Sequence, residues 1–291
     1  MSNSATRKAK RTNRTILMVI GIIILAIAAG FLGSVIRGGG GGSAAAADSD
    51  AGAFLADIKE RGELRVGIAI APPMTAEQED GTLGGPNIIP LQNLADSLGV
   101  KFTPVAAEWS NIVAGLQAGR YDFAANLDAT LERSLSIQFT NPVYTYQGVF
   151  IVPADSPYAT SEELIAAGAV ATAQGTSYEG ALTELGADLL SVSNIPNALS
   201  AVNSDRVVAA FMDLPAAVGQ AQADPGVKIV VPDPVIYQVD AAYGVPEDID
   251  ARSLQVVNVA ITNARNNGAL TRAFEAVDFL EIDNLGDLQK R

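Results

Sequence analysis

The sequence predicts an α/β protein of two lobes, carried behind a single N-terminal membrane-spanning helix. Three observations predict it. Strand-like and helix-like segments alternate through two successive stretches of about a hundred residues, an order that argues for two α/β units with largely parallel sheets and a cleft between them. The 21 residues from Ile16 to Ile36 carry no charge. Five consecutive glycines, Gly38 to Gly42, then separate this apolar run from everything that follows.

The N-terminal segment comes first. At about 1.5 Å per residue the apolar run reaches about 32 Å, enough for a hydrocarbon core of about 30 Å. Arg7, Lys8, Lys10, Arg11 and Arg14 precede it, and the positive-inside rule places that end in the cytoplasm and the body outside. A cleaved signal peptide is the rival reading, because Ala44 to Ala47 offer small residues for a cleavage site. The apolar core of a signal peptide spans about 7–15 residues, however, and the alanines stand well beyond the run. The expectation is an uncleaved single-pass anchor in the cell membrane, with the body on the extracytoplasmic side. The glycines, Ser43 and the alanines have nothing to pack and read as a flexible tether.

In the body, Ala53–Arg61 reads as the first helix. Leu64–Ile70 alternates and is rich in branched residues, so it reads as a strand, closed by Pro72 and Pro73. Ile88–Leu98 is a helix ended by Gly99, and Val100–Val105 a strand. Asn111–Gln117 is a helix with Ile112, Val113 and Leu116 on one face, and Tyr121–Leu127 a strand. A second unit follows. It has strands at Gly148–Val152, Ala169–Ala173, Val207–Met212 and Val227–Val231. Its helices lie at Ser161–Ala167, with Ser161 as cap, and at Tyr178–Leu185, Ala198–Asn203 and Pro215–Ala223. Two helices, Ala251–Asn266 and Leu270–Val277, end the pattern.

Composition removes much chemistry. The 291 residues include no Cys and no His, which excludes disulfides, thiolate nucleophiles, Ser-His-Asp triads and Cys- or His-ligated metals. No Walker A motif is present, and neither a cofactor nor a metal is expected. Residues 1–47 hold six basic residues and no acidic ones, so the body holds 13 basic against 32 acidic residues. Such a surface repels phosphate backbones, and no nucleic-acid partner is expected.

Short motifs run in order through the body. They are Gly62-Glu63-Leu64-Arg65-Val66-Gly67, Gly81-Thr82-Leu83-Gly84-Gly85 and Leu94-Ala95-Asp96-Ser97-Leu98-Gly99-Val100. Trp109 follows with Ile112, Leu116, Gly119 and Asp122, then Thr130-Leu131-Glu132-Arg133 and Phe139-Thr140-Asn141-Pro142-Val143-Tyr144. Gln174-Gly175-Thr176-Ser177, Phe211-Met212-Asp213, Asn258-Val259-Ala260-Ile261 and Asn266-Asn267-Gly268-Ala269-Leu270 complete the set. With these the chain resembles the bacterial extracellular solute-binding proteins of family 3, the polar amino-acid type. The resemblance implies a periplasmic-binding-protein (Venus-flytrap) fold, two α/β lobes joined by two crossing strands. It implies residues 51–146 and 243–291 in lobe one and 147–242 in lobe two, behind a basic tail (1–15), the anchor (16–36) and the linker (37–50).

It also implies a ligand and a partner. A free α-amino acid needs a fixed cation, a fixed anion and hydrogen-bond donors. Arginine suits the carboxylate because its planar fork bonds both oxygens. Arg133 stands at the family's arginine position behind Thr130, although a pairing with Glu132 is the plain alternative. Asp213 follows an apolar strand and stands where the family binds the α-ammonium. It also has the position of a helix cap. Thr176 and Ser177, at a helix start, offer donors to the carboxylate from lobe two, or simply cap that helix. Trp109 starts a helix that touches ligand side chains in the family, or packs in the core. The ligand would be amino-acid-like and would pass to an ABC permease.

Three departures bear on the ligand. Ala71-Pro72-Pro73-Met74 replaces an aromatic pair, so Met74 would line a site for a small or apolar side chain. Gly85-Pro86-Asn87-Ile88-Ile89 replaces the family's Gly-Phe-x-x-Asp run. The segment from Asp122 to Arg133 is one residue short, which puts Asn126 or Asp128 where small hydroxyls usually stand. Asp128 beside a ligand carboxylate would repel it, and so serves an amine or points away. Two other functions remain open at this point. One is a ligand-sensing ectodomain. The other is a cyclohexadienyl or arogenate dehydratase-like enzyme, with Glu108 or Asp128 as general acid.

Overall fold

The computed structural model describes residues 51–279. The expected basic tail, membrane span and linker lie outside the described residues. Among the described residues no helix is long and apolar enough to cross a membrane.

The chain opens with α1 (Ala53–Arg61), β1 (Glu63–Ile68) and a small hairpin of β2 (Ala76–Glu77) and β3 (Leu83–Gly84). It continues through α2 (Ile89–Leu98), β4 (Lys101–Ala106), α3 (Ile112–Gln117), β5 (Phe123–Asp128), the one-turn α4 (Leu131–Ser134) and β6 (Gln138–Phe139). The long strand β7 (Tyr144–Pro153) leads to α5 (Ser161–Ala167), β8 (Val170–Ala173), α6 (Ser177–Glu184), β9 (Leu189–Val192) and α7 (Ile195–Asn203). Then come β10 (Ala209–Asp213), α8 (Leu214–Ala223), β11 (Val227–Val230), the returning strand β12 (Gln238–Val245), α9 (Ala251–Asn266) and α10 (Ala269–Glu275).

The strands run β4-β1-β5-β12-β7-β10-β8-β9, with β6 added to β12 and β11 to β7. Parallel pairs stand toward the two ends, β1 with β4 and β5, and β8 with β9 and β10. The middle is antiparallel, because β12 retraces the path of β7. The sheet is therefore mixed, not largely parallel as the alternation of elements predicts. A chain that leaves one lobe and returns to it must lay two strands in opposite directions. Alternation of helices and strands does not reveal that return.

β7 changes partners within its length. Tyr144 to Gln147 pair with β12, whereas Gly148 to Ile151 pair with β10. The change falls between Gln147 and Gly148, where the Phe211 ring presses so closely that a Cβ on Gly148 would meet it at 2.4 Å.

Each lobe has its own core. Leu55, Ile58, Val66, Leu91, Phe123, Tyr243 and Val257 pack in the first, and Phe150, Leu164, Tyr178, Leu182 and Phe211 in the second. A further cluster joins residues of both lobes, with Trp109 and Ile112 from one side and Ile195 and Leu214 from the other. Local signals place most boundaries. Gly99 ends α2 in the left-handed region at φ 70°, where glycine carries no Cβ penalty. Thr160, not Ser161, caps α5, and it forms a reciprocal capping box with Glu163. Ser161 is instead a buried first-turn residue. Asp122, 5% exposed, holds the start of the body together. It accepts hydrogen bonds from the Arg65 backbone and from the guanidiniums of Arg61 and Arg65.

Candidate functional site

Between the lobes lies a pocket of about 310 Å³, mouth included, lined by Trp109, Asn126, Asp128, Arg133, Tyr144, Tyr146, Thr176, Tyr178, Ile195 and Asp213. A wider outer cleft shares Trp109, Arg133 and Thr176 and adds Thr130, Glu132, Gly175 and Ser177.

β5 delivers the first-lobe groups. Opposite β12, the strand spends three steps from Ala124 to Leu127 where its partner spends two from Ala242 to Gly244. The extra residue makes a bulge, a feature that re-aims side chains near functional sites. Asn126 sits in it at φ 56°, in a region asparagine tolerates better than most residues. Its Oδ1 accepts the Tyr144 hydroxyl at 2.5 Å. Asp128 ends the strand, 7% exposed. Its Oδ1 accepts the Tyr146 hydroxyl at 2.8 Å. Its Oδ2 accepts Ser177 Oγ–H and, at 3.3 Å, Tyr237 O–H.

Thr130 caps α4 by accepting the Arg133 N–H. This orders the single turn that carries Arg133 back over β5. The guanidinium donates to the carbonyl of Asp128 at 3.1 Å and to the carbonyl of Gly175, in the other lobe, at 3.0 Å. It stands 3.9 Å from the Asp128 carboxylate. Among the described residues its ion-pair partner is Asp128 and not Glu132, which is exposed. Two of the five guanidinium N–H groups are thus committed.

Asp213 ends β10 and caps α8, accepting the Ala216 N–H at 2.8 Å. Capping and lining the pocket are compatible, because the cap uses one oxygen. Burial raises its carboxyl to about 7, with the nearby Asp128 charge adding to the effect against the pull of the capping N–H. Burial also raises Asp128, against the opposing pull of Arg133 and the three hydroxyls. Thr176 donates to the Ala173 carbonyl at 2.7 Å and does not cap α6. Ser177 does not cap it either, since its hydroxyl crosses to Asp128. Trp109 is buried with its Nε1–H unpaired.

Not every expected residue is in the inner pocket. Met74 is fully buried in the first-lobe core beside Ile68 and Ile88. It does not line the pocket, because the chain turns inward there: its N–H donates to the Ala71 carbonyl and its own carbonyl accepts from Asn87. Glu108 is exposed and outside the lining. Sequence reasoning missed the tyrosines. Tyr144 and Tyr146 come from the hinge strand and Tyr178 from α6, while Tyr237 packs on Tyr146 and Tyr178 with ring centres 6.3 and 5.8 Å away. Burial pushes the first three phenols well above their ordinary range. The period-two spacing of Tyr144 and Tyr146 on one strand was the available signal, since alternate residues share a face.

Residues 64–276 match the family described as bacterial extracellular solute-binding proteins, family 3. Among curated proteins, the L-cystine-binding protein TcyA of Bacillus subtilis is 26% identical over 164 residues, 56% of this chain. The chain spans 61% of that relative's length. Among solved structures, an amino acid ABC transporter substrate-binding protein of Streptococcus pneumoniae bound to L-arginine superposes with TM-score 0.71 and 25% identity, covering 79% of this chain and 100% of that one. The ancestral amino acid-binding protein AncCDT-1, a precursor of cyclohexadienyl dehydratase, gives TM-score 0.70 and 27% identity, covering 77% and 99%.

Two outcomes follow from this geometry. A Cβ on Gly175, whose φ is 80°, would lie 2.5 Å from Ser110 Cα across the cleft. Gly175→Ala should hold the lobes apart, raising the radius of gyration in small-angle scattering while each lobe keeps its circular dichroism. An unchanged radius would contradict this. The second outcome concerns pH. Because the Asp213 carboxyl is raised from 3.8 to about 7, folding favours its protonated form. That stabilisation is complete below about pH 4 and is lost as pH climbs through about 7, with a ceiling of about 4 kcal/mol. Asp213→Asn keeps a capping oxygen and should flatten this slope in urea titrations between pH 4 and 8.

Proposed function

The chain belongs to the bacterial extracellular solute-binding proteins of family 3, and from that premise we propose that it captures an amino acid or similar small zwitterion outside the cytoplasmic membrane for an ABC permease. One observation carries the reading. A single buried pocket receives a guanidinium from the first lobe, Arg133, and a carboxylate from the second, Asp213. Arg133 keeps three N–H groups for a ligand carboxylate, and Trp109 Nε1–H adds a buried donor that lacks a protein acceptor. Asp213 takes the ammonium. Each of these is a charge-assisted hydrogen bond worth about 1.5–3 kcal/mol.

Binding accounts for the groups better than an elimination does. A general acid must be free to reach a leaving group. Asp128 is committed to three hydroxyls, and Glu108 stands exposed outside the pocket. The ligand would enter an open cleft and be enclosed by bending of β7 and β12.

A thermal-shift screen of residues 48–291 against amino acids and related metabolites finds the ligand, since saturation at 100 times its dissociation constant adds about 2.7 kcal/mol. Calorimetry then tests the site. Arg133→Ala and Asp213→Ala should each weaken binding by about 30- to 5,000-fold, the 2–5 kcal/mol typical of leaving a buried charge unpaired. If both fold and bind within threefold of the parent, the zwitterion site is wrong. If only Asp213→Ala is silent, the ligand is a plain carboxylate.

The apolar run from Ile16 to Ile36 is proposed as the membrane anchor, on its length and basic flank. Membrane fractionation with N-terminal sequencing of the native protein should return an intact, membrane-bound chain. A soluble chain beginning near Asp48 would refute the anchor.

A further inference from the structure

The charges around the pocket do not balance for a neutral zwitterion. Among the described residues that line it, Asp128 and Asp213 are acids and Arg133 is the single base. With both carboxyls ionised, an α-amino acid with an uncharged side chain brings one charge of each sign and leaves the closed cleft one negative charge in excess. Buried charges persist when paired and are costly when they are not.

Asp128 is the residue that creates the excess, and its setting is built. The hydroxyls of Tyr146 on the hinge strand and of Ser177 and Tyr237 in the second lobe all donate to it. Arg133 stands 3.9 Å from it and spends two N–H groups on backbone carbonyls, so its charge is shared with no bidentate bond to Asp128. The Ser177 hydroxyl, expected to serve a ligand carboxylate, is already occupied. The lining is also rich in aromatic faces: Trp109, Tyr144, Tyr146 and Tyr178. Faces of this kind attract a cation within about 6 Å of the ring centre and do nothing for a second anion. Burial holds both carboxyls above their ordinary range, and the Asp128 charge raises Asp213 further.

We propose that Asp128 makes the pocket select a ligand of net charge +1, one that carries an ammonium or guanidinium in excess of any carboxylate. The inference rests on the zwitterion reading of the same site and replaces the expectation of a small or apolar side chain. That expectation leaned on Met74, which the fold places in the first-lobe core.

Two near-isosteric pairs test it by calorimetry on residues 48–291: L-lysine against L-norleucine, and L-arginine against L-citrulline, with 1-pentylamine as a cation without a carboxylate. The charged member of at least one pair should bind at least tenfold more tightly than its neutral partner. That preference should fall within threefold in Asp128→Asn, which removes the charge and keeps the shape, and in Asp128→Ser should the first variant not fold. Equal or tighter binding of both neutral members overturns the proposal. So does a preference unchanged in the variants, or a failure of all five probes to bind. Norleucine or citrulline binding that needs Arg133 and Asp213 sinks the charge rule and leaves the zwitterion reading standing. Pentylamine binding as tightly as lysine does the reverse.

Discussion

The antiparallel ladder between β7 and β12 is the constraint on which the rest depends. Both strands join the lobes, and β7 supplies side chains to both lobe cores. Tyr144, Tyr146, Ala241 and Tyr243 belong to the first core, and Phe150 and Val152 to the second. β7 trades β12 for β10 between Gln147 and Gly148. A strand that changes partners at one step is the place where the proposed closure would bend it, because on either side its backbone groups are held by a sheet. The same strand carries Tyr144 and Tyr146 into the cleft, so the hinge is also part of the pocket wall.

The lobes meet through polar groups that serve more than one purpose. Arg133 donates to Gly175 across the cleft, and Ser177 donates to Asp128 in the other direction. Each bond is modest on its own, on the order of 1–3 kcal/mol. Around them lie apolar contacts from both sides, Trp109 and Ile112 against Ile195 and Leu214. Under the proposed function, a ligand that adds charge of the right sign to this seam would strengthen closure. One that adds the wrong sign competes with bonds the protein already makes to itself.

Much of the fold was legible because local chemistry set it. The spans of α1 and α9 follow directly from apolar spacing and their flanks, and Gly99 marks the end of α2 as glycine in that position should. What was not legible depends on distant partners. β9 is a short, half-buried edge strand with no strong pattern. β12 gives no alternation, since its last residues are buried on both faces. At the site, Arg133, Asp213, Asn126, Asp128, Thr176 and Trp109 do line one pocket, while Thr130 and Ser177 stand at its outer cleft. Met74 misled because a departure in a motif says that a side chain is absent, not where its replacement goes. The tyrosines were missed because Tyr144 and Tyr146, Tyr178, and the Tyr237 that bonds to Asp128 come from three separate segments, which spacing along the chain does not bring together.

The segment between Asp122 and Arg133 connects these points. β5 has to reach the one-turn helix that carries Arg133, and its pairing with β12 contains an extra step at Ala125 and Asn126. The bulge turns Asn126 toward Tyr144 and leaves Asp128 at the strand's end, beneath Arg133 and facing Ser177. The strand's end therefore sets a carboxylate, 7% exposed, in the cleft. Charge buried there acts at low effective dielectric and is poorly screened by salt. The path of β5 thereby bears on the ligand charge that the two lobes, under the proposed function, would close upon.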